Sequence, residues 1–132
     1  MSDNTSILVP AGTSGVTAFR FVKSGTAGVA DEAQDVAPTV VIMGVCYTTA
    51  ASGEEVSVVT SGYCDVHFAE AVAPGAKITN NNKGKAVEAT AIASDLIFGE
   101  YAPLPVSGTR PNSSADGIGR ILLYANKLTV AI

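Results

Sequence analysis

The stretch that decides the fold reads VIMGVCY at residues 41–47 and continues as GEEVSVV at residues 53–59. The same pattern returns later in the chain, as LIFGEY at residues 96–101 and GIGRILL at residues 117–123. The central glycines of the two copies lie 55 positions apart, so both halves of the chain keep nearly one register. Self-similarity of this kind indicates one supersecondary unit used twice. It predicts two similar β units that pack together.

Short apolar segments separated by glycine, proline and asparagine occupy the rest of the chain. Residues 40–48 are almost continuously apolar, which predicts a strand buried on both faces. Phe19 and Phe21 share one side of an alternating segment and are candidate core residues. Gly62 is expected to break the strand that begins at Glu55. The sequence therefore contains about nine to ten short predicted strands and no predicted helix. This pattern predicts an all-β fold, a small single-domain β-barrel or sandwich.

A chain of 132 residues is most simply one domain. Residues 1–14 are polar or small, and we expect a flexible N-terminal arm, because such arms fray unless something ties them down. The β-barrel or sandwich domain then spans residues 15–132. Within it, residues 103–116 form a Pro-rich loop insert, and a loop of this length is usually functional or mobile. The apolar residues of the arm are Ile7, Leu8 and Val9.

The composition restricts the classes of partner. Charged residues make up 15% of the chain and hydrophobic residues 47%, with a formal net charge of −4. Because a soluble domain ordinarily carries roughly 25% charged residues, we expect protein partners to cover part of the surface. The basic residues are scattered along the sequence, which argues against nucleic acid and against a membrane as partners. The polar N-terminus has no signal-peptide pattern, so we expect synthesis in a cytoplasm.

Few residues are candidates for catalysis. A Ser-His-Asp triad would have to use His67, the single histidine, which we interpret as an exposed or interface residue on the polar face of a strand. Glu54 and Glu55 are adjacent, and adjacent strand residues point to opposite faces, so they do not make a carboxylate pair. Cys46 and Cys64 are expected to remain thiols, and no metal-ligand spacing is present. The sequence predicts no enzyme, no metal and no cofactor.

Lys83 supports one chemical alternative, a carrier domain of the lipoyl or biotinyl type. Such carriers are small, quasi-two-fold β-sandwiches with a modified lysine at a hairpin tip. Residues 80–84 predict a hairpin loop that contains Lys83. However, its surroundings, NNNKGK, do not resemble the DKA or MKM motifs of carrier domains. A solvated turn lysine is the interpretation that we favour.

Several motifs of the chain resemble those of bacteriophage head decoration proteins, also called capsid cement proteins. The similar stretches are GVCY at 44–47, ASGEEVSVV at 51–59, AEAVAPGAKI at 69–78, KGKA at 83–86 and IFGEYA at 97–102. The loop insert departs from the family pattern. The resemblance implies a β-rich structural virion protein that binds the outer surface of a capsid and bridges subunits of the major capsid protein. It also implies a homotrimer on the capsid exterior, made in the host cytoplasm.

Flexibility and composition point to the arm and the loop as the surfaces that contact the capsid. An alternative function is that of a phage tail or fibre module, or another surface-binding β module, that recognises a glycan or receptor. In that case Tyr63 or Tyr101 would line a shallow site. The predicted capsid contacts are Ile7, Leu8, Val9, Arg110, Pro111 and Asn112.

Overall fold

The structure is a computed structural model that describes residues 4–24, 29–32, 42–81, 83–89, 97 and 99–124. These residues form nine β-strands and no helix, which confirms the predicted all-β class. All nine strands belong to one curled sheet. The strands are β1 (Asn4–Pro10), β2 (Phe21–Ser24), β3 (Ala30–Glu32), β4 (Ile42–Cys46), β5 (Glu55–His67), β6 (Lys77–Asn80), β7 (Ala86–Glu88), β8 (Gly99–Tyr101) and β9 (Ile118–Leu123).

The order of the strands shows the internal repeat directly. The sheet runs β3-β2-β4-β5-β9-β8-β6-β7, with β1 paired to β5. In the first half, β2 and β3 form a hairpin, β4 pairs with β2, and β5 completes the unit. In the second half, β6 and β7 form the hairpin, β8 pairs with β6, and β9 completes the unit. The halves join where β5 and β9 pair antiparallel. The two copies are therefore related by a pseudo-two-fold axis through this pair.

The main-chain hydrogen bonds repeat with the same offset. The first pair joins Phe19 N to Cys46 O (2.8 Å) and Cys46 N to Arg20 O (3.1 Å), and the second joins Gly75 N to Tyr101 O (2.8 Å) and Tyr101 N to Ala76 O (3.0 Å). Phe19 and Gly75 occupy equivalent places, and both have positive φ angles, 64° and 85°. L-residues rarely adopt this backbone conformation. We therefore attribute the positive φ angle of Phe19 to its place in the repeat, where the second copy has Gly75.

This turn changes the role of Phe19. We expected Phe19 and Phe21 to share a buried face, and Phe21 is fully buried. Strand β2 begins only at Phe21, however, so the predicted alternation does not extend back to Phe19. The Phe19 ring instead packs edge-on against Tyr47, with 5.5 Å between the ring centroids. The core prediction is correct for Phe21 and wrong for Phe19.

Strand β5 is longer than the sequence predicts. Gly62 does not break it, although its φ angle is 96°. The register between β1 and β5 shifts between Thr5 and Ser6, and Thr60 Oγ1 donates a hydrogen bond to Thr5 O (3.2 Å) at this bulge. A bulge bends a strand without ending it. Gly62 itself stays paired with Asn4 of β1 and Leu123 of β9, so β5 continues through it as one strand of 13 residues.

Two clusters of buried side chains fill the interior. The larger cluster contains Phe21, Phe68, Ile78, Tyr101 and Ile121, and the Phe68 and Tyr101 rings meet edge-to-face at 4.9 Å. The smaller cluster lies beneath β1 and the first half of β5. Of the strand predicted at residues 40–48, Ile42–Cys46 form β4 and are buried on both faces apart from the partly exposed Met43. Tyr47 and Thr48 follow the strand and are exposed, and residues 40 and 41 lie outside the described part. Both cysteines are buried, and neither forms a disulfide.

Candidate functional site

The N-terminal segment is held on the sheet rather than extending from it. Residues 4–10 form β1 and pair antiparallel with β5, from Asn4 opposite Gly62 to Pro10 opposite Glu55. This differs from the expected flexible arm, because β5 supplies the partner that ties the segment down. The division into an arm at 1–14 and a domain at 15–132 stays a prediction.

Strand β1 presents apolar side chains to solvent. Leu8 is 68% exposed and Ile7 is 44% exposed, although both lie in a regular strand. Val9 is different, because its side chain packs against the smaller core cluster. Ile7 and Leu8 are neighbours in the strand and point to opposite faces, so β1 exposes one apolar side chain on each face; we call these two residues the arm surface. Val9 lies on the same face of β1 as Ile7.

The base of the long loop is fixed to the segment before β6. Ser113 is buried, and its N–H donates to Val72 O (2.9 Å). Its hydroxyl accepts a hydrogen bond from Val72 N (2.8 Å) and donates one to Glu70 O (2.9 Å). Val16 and Ala50 make the equivalent bridge in the first repeat. The loop is thus an enlarged version of the connection between β4 and β5.

Replacing Ser113 with alanine is expected to lower the free energy of unfolding by about 1–3 kcal/mol, because the buried Val72 N–H loses its acceptor. Urea denaturation measures the change. Ser114 is exposed, and its replacement by alanine is the matched control, expected to stay within about 0.5 kcal/mol of the wild type. Equal stability of the two variants would contradict the anchoring role of Ser113.

The outer part of the loop, residues 104–112, is exposed and ends in a tight turn; we call it the loop tip. Val106 and Thr109 exchange two main-chain hydrogen bonds of 2.6 and 3.0 Å. Ser107 and Gly108 between them have φ angles of 51° and 80°. Positive φ at both central positions is typical of a type I′ turn, which restricts the backbone there.

The loop tip carries apolar residues that sequence reasoning missed. Leu104 and Val106 are each 64% exposed. They alternate with prolines in the sequence PLPV at residues 103–106, and this pattern could have revealed them, since proline keeps such a segment out of a central strand. The predicted contacts Arg110, Pro111 and Asn112 are exposed beside them.

The structure does not bring the arm surface and the loop tip together. Leu8 lies opposite Ser57 in the first half of β5. The loop ends at β9, whose first residue, Ile118, lies opposite His67 at the far end of β5. Ten residues of strand separate these positions, which corresponds to at most about 33 Å. A flat partner surface that contacts both regions at once would have to span this distance.

A basic cluster lies at the end of β5, where the sequence showed only scattered charges. Arg20 Nη1 donates to Lys83 O (3.3 Å), and His67 N donates to Phe19 O (2.7 Å). Lys85 Nζ forms an ion pair with Asp116 Oδ1 (2.9 Å). Partial burial, together with the charges of Lys85 and Arg20, lowers the pKa of His67. These residues come from four separate segments, which only the fold unites.

The residues considered for other chemistry are arranged differently. Tyr101 is buried against Phe68, so the expectation that it could line a glycan site is wrong. Tyr63 is partly exposed, but the Arg120 guanidinium lies over its ring at 4.3 Å. Lys83 does lie in the turn between β6 and β7, and its N–H donates to Asn81 Oδ1 (2.9 Å).

Among the residues that the structure describes, no group of three or more His, Cys, Asp or Glu side chains is placed to hold a metal ion. The described part also contains no helix that is long and apolar enough to cross a membrane.

Comparisons with known proteins indicate the family and the fold of the chain. The sequence profile of the phage cement protein family matches residues 1–102. No curated protein matches the sequence. Among solved structures, the chain is similar to the N base of head fiber gp8.5 from bacteriophage phi29, with a TM-score of 0.61 and 16% sequence identity. The similarity covers 94% of this chain and 97% of that chain, and at this identity it shows a shared fold.

Proposed function

This chain belongs to the phage cement protein family and is a structural protein of the phage head, and we propose that it binds the outer surface of the capsid. There it bridges neighbouring subunits of the major capsid protein and stabilises the head. It acts as a homotrimer and without catalysis, and it reaches the capsid after synthesis in the host cytoplasm.

The exposed apolar residues carry this proposal. Four of the seven large hydrophobic side chains that are exposed in the described part belong to the arm surface or the loop tip. Large apolar side chains exposed in groups mark interaction sites more often than isolated ones do. The four residues are Ile7, Leu8, Leu104 and Val106.

The separation of the two surfaces suits a bridging role. Surfaces at opposite ends of β5 can reach different capsid subunits, whereas one compact patch would contact only one. A standard protein interface buries about 1,600 Å² in total, and several such contacts on one trimer add through avidity. In this arrangement, the arm at residues 1–14 and the domain at residues 15–132 make separate contacts with the capsid.

Co-sedimentation with phage heads tests the proposal. Heads from phage that lack this protein are mixed with the purified full-length chain and pelleted. We expect saturable binding to these heads. Heads that already carry the protein are the matched control and should take up almost none, because their sites are occupied. Recovery of the protein only in the supernatant of the deficient heads would overturn the proposal.

A further inference from the structure

The two ends of β5 carry opposite charge. At the end where β5 begins, Ala11 N donates to Glu54 O (2.7 Å), and Gly12 N donates to Ala30 O (2.8 Å). These bonds bring Asp31, Glu54 and Glu55 onto neighbouring segments, which we call the acidic end. Lys23 lies opposite Asp31 in the register of β2 and β3.

The acidic end also contains a cleft. It has a volume of about 360 Å³ and lies between residues 10–13 and residues 52–53, with Asp31 on its wall. Gly12 keeps the cleft open beside Asp31, because a Cβ atom at this position would overlap the carboxylate. A cleft of this volume is large enough to admit a side chain with a polar head. Asp31 is the acidic residue among those that line the cleft, and Glu54 and Glu55 directly follow the lining residue Gly53, so the negative charge in and beside the cleft favours a cation.

The opposite end of β5, which we call the basic end, has the complementary charge. The Arg20 guanidinium reaches the Lys83 carbonyl oxygen there, and Lys85 pairs with the carboxylate of Asp116. Lys83 is exposed in the turn between β6 and β7. The basic end therefore projects a cation, while the chain as a whole carries a net charge of −4.

We infer that the turn around Lys83 of one copy docks in the acidic cleft of the next copy. The inference rests on the proposed homotrimer and names the two surfaces through which its subunits meet. A three-fold ring requires a heterologous interface, in which two different patches of the same chain fit each other. The basic and acidic ends are such a pair, because they are different patches of one chain and are complementary in charge.

Charge reversal with rescue tests this interface in the full-length protein. Lys83→Glu and Glu55→Lys each place like charges across the contact, and each should weaken self-association by about tenfold per contact in sedimentation equilibrium. The double variant carries the swapped pair and should recover most of the wild-type association. Glu54 is left unchanged, because its carboxylate accepts a hydrogen bond from Ala51 N within its own turn (2.7 Å).

Matched controls carry the same change of charge elsewhere. Lys77→Glu and Glu88→Lys alter exposed residues at the open end of the β6–β7 hairpin, outside both ends of β5, and should leave self-association unchanged. Raising NaCl from about 0.05 M to about 0.5 M should weaken the wild-type contact, because salt screens exposed charges. Unchanged far-UV circular dichroism confirms that each variant is folded.

The outcomes separate this inference from the proposed function. Single reversals that leave association unchanged, a double variant that is not rescued, or a wild-type chain that stays monomeric would each overturn the inference. A wild-type protein that self-associates but does not pellet with deficient heads would overturn the proposed function and leave the interface standing.

Discussion

Replacing Gly44 with valine is expected to destabilise the protein by about 4 kcal/mol or more, which is a large part of the roughly 5–15 kcal/mol that holds a typical domain folded. Gly44 lies in β4, and a Cβ atom there would overlap the carbonyl oxygen of Val59 in β5. Because that oxygen belongs to the backbone of the neighbouring strand, the overlap can be relieved only by moving two strands apart.

The repeat predicts the same result at a second position. Gly99 in β8 approaches the carbonyl oxygen of Leu122 in β9 as Gly44 approaches Val59. Gly99→Val should therefore be as damaging as Gly44→Val. Urea denaturation of both variants measures the loss, and a protein that is unfolded without urea also fulfils the prediction.

A third glycine provides the control. Gly108 has a φ angle of 80°, but nothing lies within 4 Å of a Cβ atom built on it. Gly108→Ala should cost only about 1 kcal/mol, from backbone strain alone. If Gly44→Val unfolds at the same urea concentration as the wild type, the close approach of β4 and β5 is wrong.

Replacing Leu8 with lysine is expected to weaken binding to deficient heads roughly 10- to 100-fold. Burying a leucine side chain contributes about 1.5–3 kcal/mol, and a lysine at the same place would also bring a charge into the contact. The main-chain pairing of β1 with β5 does not depend on this side chain, which is 68% exposed, so the fold should persist. Co-sedimentation over a range of protein concentrations gives the affinity.

Leu8→Met is the matched control, because it keeps an apolar side chain of similar size and should bind within about threefold of the wild type. Val106→Lys applies the same test to the loop tip. Binding of Leu8→Lys at wild-type affinity would remove the arm surface from the capsid contact. The same result for Val106→Lys would remove the loop tip.

The repeat was predictable from the sequence because its glycines are required by close contacts. Gly44 and Gly99 recur at a fixed distance, since each faces a backbone carbonyl where no side chain fits. The apolar residues around them predicted strands for the same local reason, and β4 is buried as expected. Structural requirements of this local kind can be recognised from the residue types.

Long-range pairing leaves a weaker record. Nothing in residues 4–10 identifies β5 as their partner, and the pairing of Asn4 with Gly62 joins positions far apart in the chain. The bulge opposite Thr5 and Ser6 likewise shows only in the structure, and with it β5 continues through Gly62. A glycine in a strand is a local argument for a break, and here the tertiary pairing overrides it.

The candidate surfaces were predicted in part. The arm and the loop were chosen for composition, and the structure shows Ile7, Leu8 and the loop tip exposed. Leu104 and Val106 were not predicted as contacts, because an apolar residue in a loop is compatible with burial as well as with exposure. The basic end was not predicted for a different reason: Arg20 lies far in the sequence from Lys83 and Lys85, and the fold brings them together.

The central claim is that this protein stabilises the phage head, and the survival of heads with and without it tests that claim most directly. DNA-filled heads from phage lacking the protein are compared with the same heads after purified protein is added back, under heating and osmotic shock. The account predicts that deficient heads release their DNA under milder conditions and that added protein restores their resistance. Equal survival of deficient, restored and wild-type heads would contradict it.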